Sequence, residues 1–201
     1  MITVPDFSDF SLERPRISEL PRPDGEFWVF GYGSLMWDPG FRVIESSAAT
    51  LKGFQRRLCL WSVRYRGTPG NPGLVLGLDA GEQCDGYAFH VAPIDIESVC
   101  DYLLDREMLS NAYVPTVAPI SLRSDNRLVN ALTFVSKHDH PQYAPAMTPQ
   151  EIVSIITVAR GERGANTDYV VNTANHLNEL RIFDPAIHDV CELLDSNERK
   201  T

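Results

Sequence analysis

Apolar and polar positions change rhythm twice along the chain. From Phe27 to Ala92 the pattern is that of strands, in runs Phe27–Tyr32, Ala49–Tyr65, Leu74–Asp79 and Asp85–Ala92. Turn chemistry separates them, at Asp38-Pro39-Gly40 and in "RGTPGNPG" from Arg66 to Gly73. Asp95 then offers an N-cap, and Ile96, Val99, Cys100, Leu103 and Leu104 recur at helical spacing. A hairpin follows, Tyr113–Arg123 and Leu128–Lys137, around a Ser124-Asp125-Asn126 turn. The last third is helical. Thr148-Pro149-Gln150-Glu151 spells a capping box with proline at the first helical position, Ile152, Ile155, Ile156 and Ala159 make a buried face, and Gly161 is expected to close it. Further helices are expected over Thr167–Leu180 and from Asp184-Pro185 to Leu194, each entered through a capping residue.

Strands, helix, hairpin, helices is the order of an α+β protein rather than a doubly wound α/β fold. At 201 residues the chain suits one domain, expected over 27–195. Residues 1–26, with four prolines and no periodicity, read as an extended or flexible arm, and 196–201 as a tail. The net charge of −9 and scattered basic residues argue against a nucleic-acid or anionic-membrane footprint, leaving a small molecule as the expected partner. No apolar run reaches the roughly 18 residues of a membrane span. Cys59, Cys84, Cys100 and Cys191 form no CxxC pair and no signal-peptide pattern is visible, so reduced thiols in the cytoplasm are expected.

The first candidate site is "VFGYGSLMW", Val29–Trp37, where Gly31 and Gly33 interrupt a strand. A dinucleotide fingerprint would need glycine at Met36 and a following helix. A nucleophile elbow would need glycines where Tyr32 and Met36 stand. Two readings survive: a plain chain reversal, or an anion cradle built from the N–H groups of Tyr32, Gly33, Ser34 and Leu35 with the Ser34 hydroxyl as a further donor. The second candidate is Glu107 in "YLLDREM", which continues the apolar stripe of the helix. Burial and the negative end of the helix would both raise its pKa towards that of a general base. The alternative is a frayed end at which Glu107 meets water or pairs with Arg106 or another arginine. His138-Asp139-His140 has a metal-like composition, but His90, His176 and His188 lie in other elements and supply no third ligand at a supporting spacing. Tyr143, in "HPQYAP", is otherwise a residue packed beneath its loop.

Together "FGYGSLMW", "LLDREM", "HPQYAP" and "RGERGANTDYV", in that order and with "RGTPGNPG" between strands, resemble the ChaC-like γ-glutamylcyclotransferases that act on glutathione. The resemblance implies a small twisted mixed or antiparallel β-barrel with flanking helices. It implies cleavage of glutathione to 5-oxoproline and cysteinylglycine, with no metal or organic cofactor. It assigns Glu107 as catalytic acid/base, Tyr32, Gly33, Ser34 and Leu35 as the γ-glutamyl-binding turn, and Tyr143 as a substrate-side tyrosine. Arg66 is added as a charge that could meet the glycine carboxylate. Alternatives within the same frame are a cyclotransferase for other γ-glutamyl amines or amino acids, and a non-catalytic carboxylate-binding module.

Overall fold

The computed structural model describes residues 3–11 and 19–198; the rest of the expected arm and the last three residues of the tail lie outside the described residues. Five strands close a barrel: β1 (Phe27–Gly31), β2 (Glu45–Ser62), β3 (Gly73–Val91), β4 (Tyr113–Leu122) and β5 (Leu128–Ser136), in the order β1-β3-β2-β4-β5. β1 runs antiparallel to β3 and β4 antiparallel to β5, while β1 meets β5 in parallel at Trp28/Ala131 and Val29/Leu132. The sheet is therefore mixed, as the resemblance implied. The helices are α1 (Ile96–Glu107), α2 (Pro149–Ile156), α3 (Asn166–Glu179) and α4 (Pro185–Glu198), and a two-stranded hairpin, β6 (Arg160–Gly161) and β7 (Gly164–Ala165), precedes α3. No helix among the described residues is long and apolar enough to cross a membrane.

Contacts divide the molecule into two compact units. One contains β1, the first part of β2, β3 from Gly77 onwards, α1, β4 and β5. Its core joins Phe27 and Val29 of β1, Val91 of β3, Val99, Cys100 and Leu103 of α1, and Leu132 and Phe134 of β5, together with Leu20, Leu35 and Met108. The other contains Arg57–Leu76, α2, the β6–β7 hairpin, α3 and α4, with Phe7 buried at 4% exposure. There α2 and α3 both pack on α4, burying Val153, Ile156, Val170, Leu177, Ile187 and Val190.

Several local expectations change. The runs Leu74–Asp79 and Asp85–Ala92 belong to one strand of 19 residues, which continues through the exposed Gly81-Glu82-Gln83. Asp95 occupies the N-cap of α1 without a side-chain bond to the helix. The α2 capping box forms as expected, but the helix ends at Ile156, and Gly161 instead lies in the β6–β7 hairpin. α3 starts without a side-chain cap, since Asn166 spends its amide on both backbone groups of Leu74. At α4 the Asp184 carboxylate accepts from Ile187 N–H, and the helix continues to Glu198, past the expected domain end.

Candidate active site

The glycine turn closes over the end of β1. Ser34–Met36 forms one 3-10 turn, with Met36 N–H bonding the Gly33 carbonyl at 2.9 Å and Asp38 N–H the Ser34 carbonyl at 3.0 Å. Leu35 is driven into the barrel-unit core beside Val29, Leu103 and Phe134. That fold-back requires glycine at 31, where a Cβ would stand 2.9 Å from the Leu35 Cβ. Tyr32 is buried and donates its hydroxyl to the Phe134 carbonyl at 2.8 Å. Arg56, 4% exposed, clamps the turn from below: Nε donates to the Tyr32 carbonyl at 2.5 Å and Nη2 to the Asp85 carbonyl at 2.6 Å. Carbonyls are thus spent inward. Among the described residues, the N–H groups of Gly33, Ser34 and Leu35 find no acceptor, the condition for an anion-binding concavity.

α1 ends beside this turn. Its apolar stripe shares a core with Leu35, so the final turn of the helix carries Arg106 and Glu107 to the same place. Arg106 extends along the loop after the 3-10 turn: Nη1 donates to the Asp38 carbonyl and to the Tyr102 hydroxyl, both at 2.7 Å, and Nη2 to Ser34 Oγ at 2.9 Å. Gly40 has φ +74 and no side chain, which admits the Tyr102 hydroxyl against it. Glu107 Oε1 lies 3.2 Å from Arg106 Nε, with 18% of the Glu107 side chain and 19% of the Arg106 side chain exposed. Burial pushes the Glu107 carboxyl above its ordinary range, and the Arg106 charge and hydrogen bond pull it partly back. Both anticipated fates of Glu107, burial and pairing with Arg106, therefore coexist.

The sequence-derived candidates Tyr32, Gly33, Ser34, Leu35 and Glu107 come together in this unit. Tyr143 and Arg66 belong to the other. Tyr143 bridges to Leu60, and its hydroxyl lies 3.5 Å from Arg57 Nη1. Arg66 Nη1 donates to the Arg163 carbonyl at 2.7 Å and the Ala165 carbonyl at 3.2 Å, its guanidinium stands 5.4 Å from the Tyr169 ring, and burial lowers its pKa. His138 Nε2 lies 2.7 Å from Asp79 Oδ1. Sequence reasoning gave Arg106 no role beyond a possible partner for Glu107 and gave Arg56 none. The available signal for Arg56 was its place in β2, two residues before the buried Leu58 on the same side of the strand.

A cradle of unspent N–H groups beside a partly desolvated carboxylate can hold a small carboxylated molecule and move a proton on it. The chain belongs to the ChaC-like family, whose model, "ChaC-like protein", matches residues 27–199. It is similar to the Escherichia coli protein named glutathione-specific gamma-glutamylcyclotransferase, 36% identical over 170 residues that cover 84% of this chain and 73% of that protein. A Schizosaccharomyces pombe protein of the same name is 33% identical, over 83% of this chain and 90% of its own. A yeast structure described as a γ-glutamyl cyclotransferase specific to glutathione superposes with TM-score 0.75 at 21% identity, over 86% of this chain and 99% of that one, and shares the fold.

Proposed function

We propose that this chain is a glutathione-specific γ-glutamylcyclotransferase acting in the cytoplasm, with Glu107 as general acid/base and the Tyr32–Leu35 turn as the γ-glutamyl cradle. The observation that carries the reading is the pairing of unspent N–H groups at Gly33, Ser34 and Leu35 with a carboxylate whose proton affinity is raised by burial. The named relatives in bacteria and fission yeast supply the substrate.

The substrate contains its own nucleophile. Glutathione's α-amine attacks the γ-carbonyl, a C–N bond closes the five-membered lactam, and the bond to the cysteine nitrogen breaks, releasing 5-oxoproline and cysteinylglycine. Holding that geometry supplies roughly 7–11 kcal/mol without an enzyme nucleophile. The α-amine, with a pKa of about 8, must first lose a proton. Glu107 takes it and returns it to the departing nitrogen, and the attacking nitrogen releases its second proton to solvent once the C–N bond has formed. The turn's N–H groups receive the α-carboxylate and steady the developing oxyanion. Ser34 Oγ accepts from Arg106, so its own proton is free to donate to the same carboxylate. For Tyr143 the substrate-side role rests on the family resemblance, and for Arg66 on its charge alone.

The test is to incubate the purified protein with glutathione, without added metal or cofactor, and follow both products by mass spectrometry. Equal formation of 5-oxoproline and cysteinylglycine is expected. A folded protein that makes neither, while turning over γ-glutamylalanine or γ-glutamyl-lysine, would overturn the glutathione assignment.

A further inference from the structure

The Arg106 side chain touches both halves of the candidate site. Its Nε faces Glu107 Oε1 at 3.2 Å, and its Nη2 donates to Ser34 Oγ at 2.9 Å. The remaining nitrogen, Nη1, is fixed at both sides by the Asp38 carbonyl and the Tyr102 hydroxyl. Tyr102 is in turn held by the ring of Phe41, 6.1 Å away in an edge-on arrangement. A planar guanidinium anchored at this many points has little rotational freedom, and an ammonium cannot reproduce the fork.

We infer that Arg106 is a positioning residue for the reaction: it fixes the Glu107 carboxylate relative to the Ser34 hydroxyl, so that base and cradle act on one substrate molecule in register. The inference rests on the cyclotransferase reading for its kinetic consequence, but the geometry on which it stands does not. Three features support it. The bond to Ser34 spans 72 residues of sequence, so it joins elements that the chain itself leaves independent. Arg106 and Glu107 are predominantly shielded from water, at 19% and 18% side-chain exposure, where a charge pair is screened less than at the surface. And Arg106 uses its Nη1 donors on the loop after the cradle, at Asp38, and on its own helix, at Tyr102, which leaves Nε and Nη2 aimed at the two groups concerned.

Among the described residues, the charge that acts on Glu107 is that of Arg106, and Tyr102 lies behind it. Leu35, Leu132 and Phe134, from the cradle and β5, bring no charge to the shared core, and Arg22 is engaged with Glu97 in the opening turn of α1. Removing the Arg106 charge therefore removes the main influence that favours the ionised carboxylate, while the burial that disfavours it stays.

The experiment uses full-length Arg106→Gln and Arg106→Lys beside the unsubstituted chain, with two readouts. The first needs no substrate: a carbon-13 NMR titration of the Glu107 carboxyl, identified by its absence in Glu107→Gln. Arg106→Gln is expected to move the midpoint to higher pH and Arg106→Lys to leave it near the original, because lysine keeps the charge. The second is 5-oxoproline formation from glutathione across pH. Misplacing the base lowers kcat by about 10²-fold in Arg106→Gln, with the acid limb shifted to higher pH. Arg106→Lys restores the limb and not the full kcat. An unmoved midpoint in folded Arg106→Gln, or full kcat in Arg106→Lys, would overturn the inference. If Arg106→Gln does not fold, the kcat of Arg106→Lys decides. Should the unsubstituted chain make no 5-oxoproline, the function fails and the midpoint alone judges Arg106.

Discussion

Two glycine-rich stretches of nearly the same character end up with different backbone accounts. In the Tyr32–Leu35 turn the carbonyls of Tyr32, Gly33 and Ser34 are taken by Arg56 and by the 3-10 bonds, and the N–H groups of Gly33, Ser34 and Leu35 find no acceptor among the described residues. In the Arg66–Gly73 loop three donors, those of Arg66, Thr68 and Asn71, are taken by neighbours within the same unit. Thr68 and Asn71 exchange both backbone bonds, Arg66 N–H reaches Ser62 Oγ, and Leu74 N–H, just beyond, is taken by the Asn166 side chain. The loop is tied into its own unit by these bonds, and the turn is the one that the proposed function uses as its cradle. Glycine content does not tell them apart; the fate of the N–H groups does.

The comparison separates loss of activity from loss of stability. The largest effect falls on Glu107→Gln, which should lower kcat by about 10²–10⁴-fold, measured as 5-oxoproline release. That variant should be no less stable than the unsubstituted chain near pH 7. Burial raises the Glu107 pKa on folding, so the cost of its ionisation is felt as pH rises through the interval above the ordinary carboxylate value, and glutamine removes it. For the same reason the activity of the unsubstituted chain should fall, as pH drops, at a higher pH than an ordinary glutamate near 4.3 would give.

Asn166→Ala attacks the tied loop instead. The side chain is fully buried and bonds both backbone groups of Leu74, so about 2–3 kcal/mol of stability should be lost, read by denaturant unfolding. The kcat per folded molecule should hardly change. A large fall in kcat with intact stability would erase the distinction between tied loop and cradle. The smallest effect is that of Ser34→Ala, which removes one donor and should raise KM for glutathione by about tenfold while leaving the melting temperature nearly unchanged.

Much of the frame was legible in advance because it depends on local periodicity. The α1 stripe of Val99, Cys100 and Leu103 is buried as its spacing requires, the Thr148–Glu151 box forms, and Asn126 takes the left-handed conformation that its hairpin turn needs. Barrel closure was not readable from the strands themselves, since it rests on the parallel Trp28/Ala131 pairing between elements about a hundred residues apart. Only the resemblance carried it. The same distance hid the roles of Arg106 and Arg56, whose partners at Ser34, Asp38, Tyr32 and Asp85 are set by tertiary folding. Glu107 was visible because its own helix aims it. Asn166, quoted within a motif, gave no sign that it would bond Leu74 rather than cap α3.

The most direct test of the account is a nitrogen-15 amide titration of inactive Glu107→Gln with glutathione, watching two sets of resonances. The account predicts saturable shifts at Gly33, Ser34 and Leu35 and none of comparable size at Thr68, Asn71 and Leu74. Shifts concentrated in the second set, with the cradle amides unmoved, would contradict it.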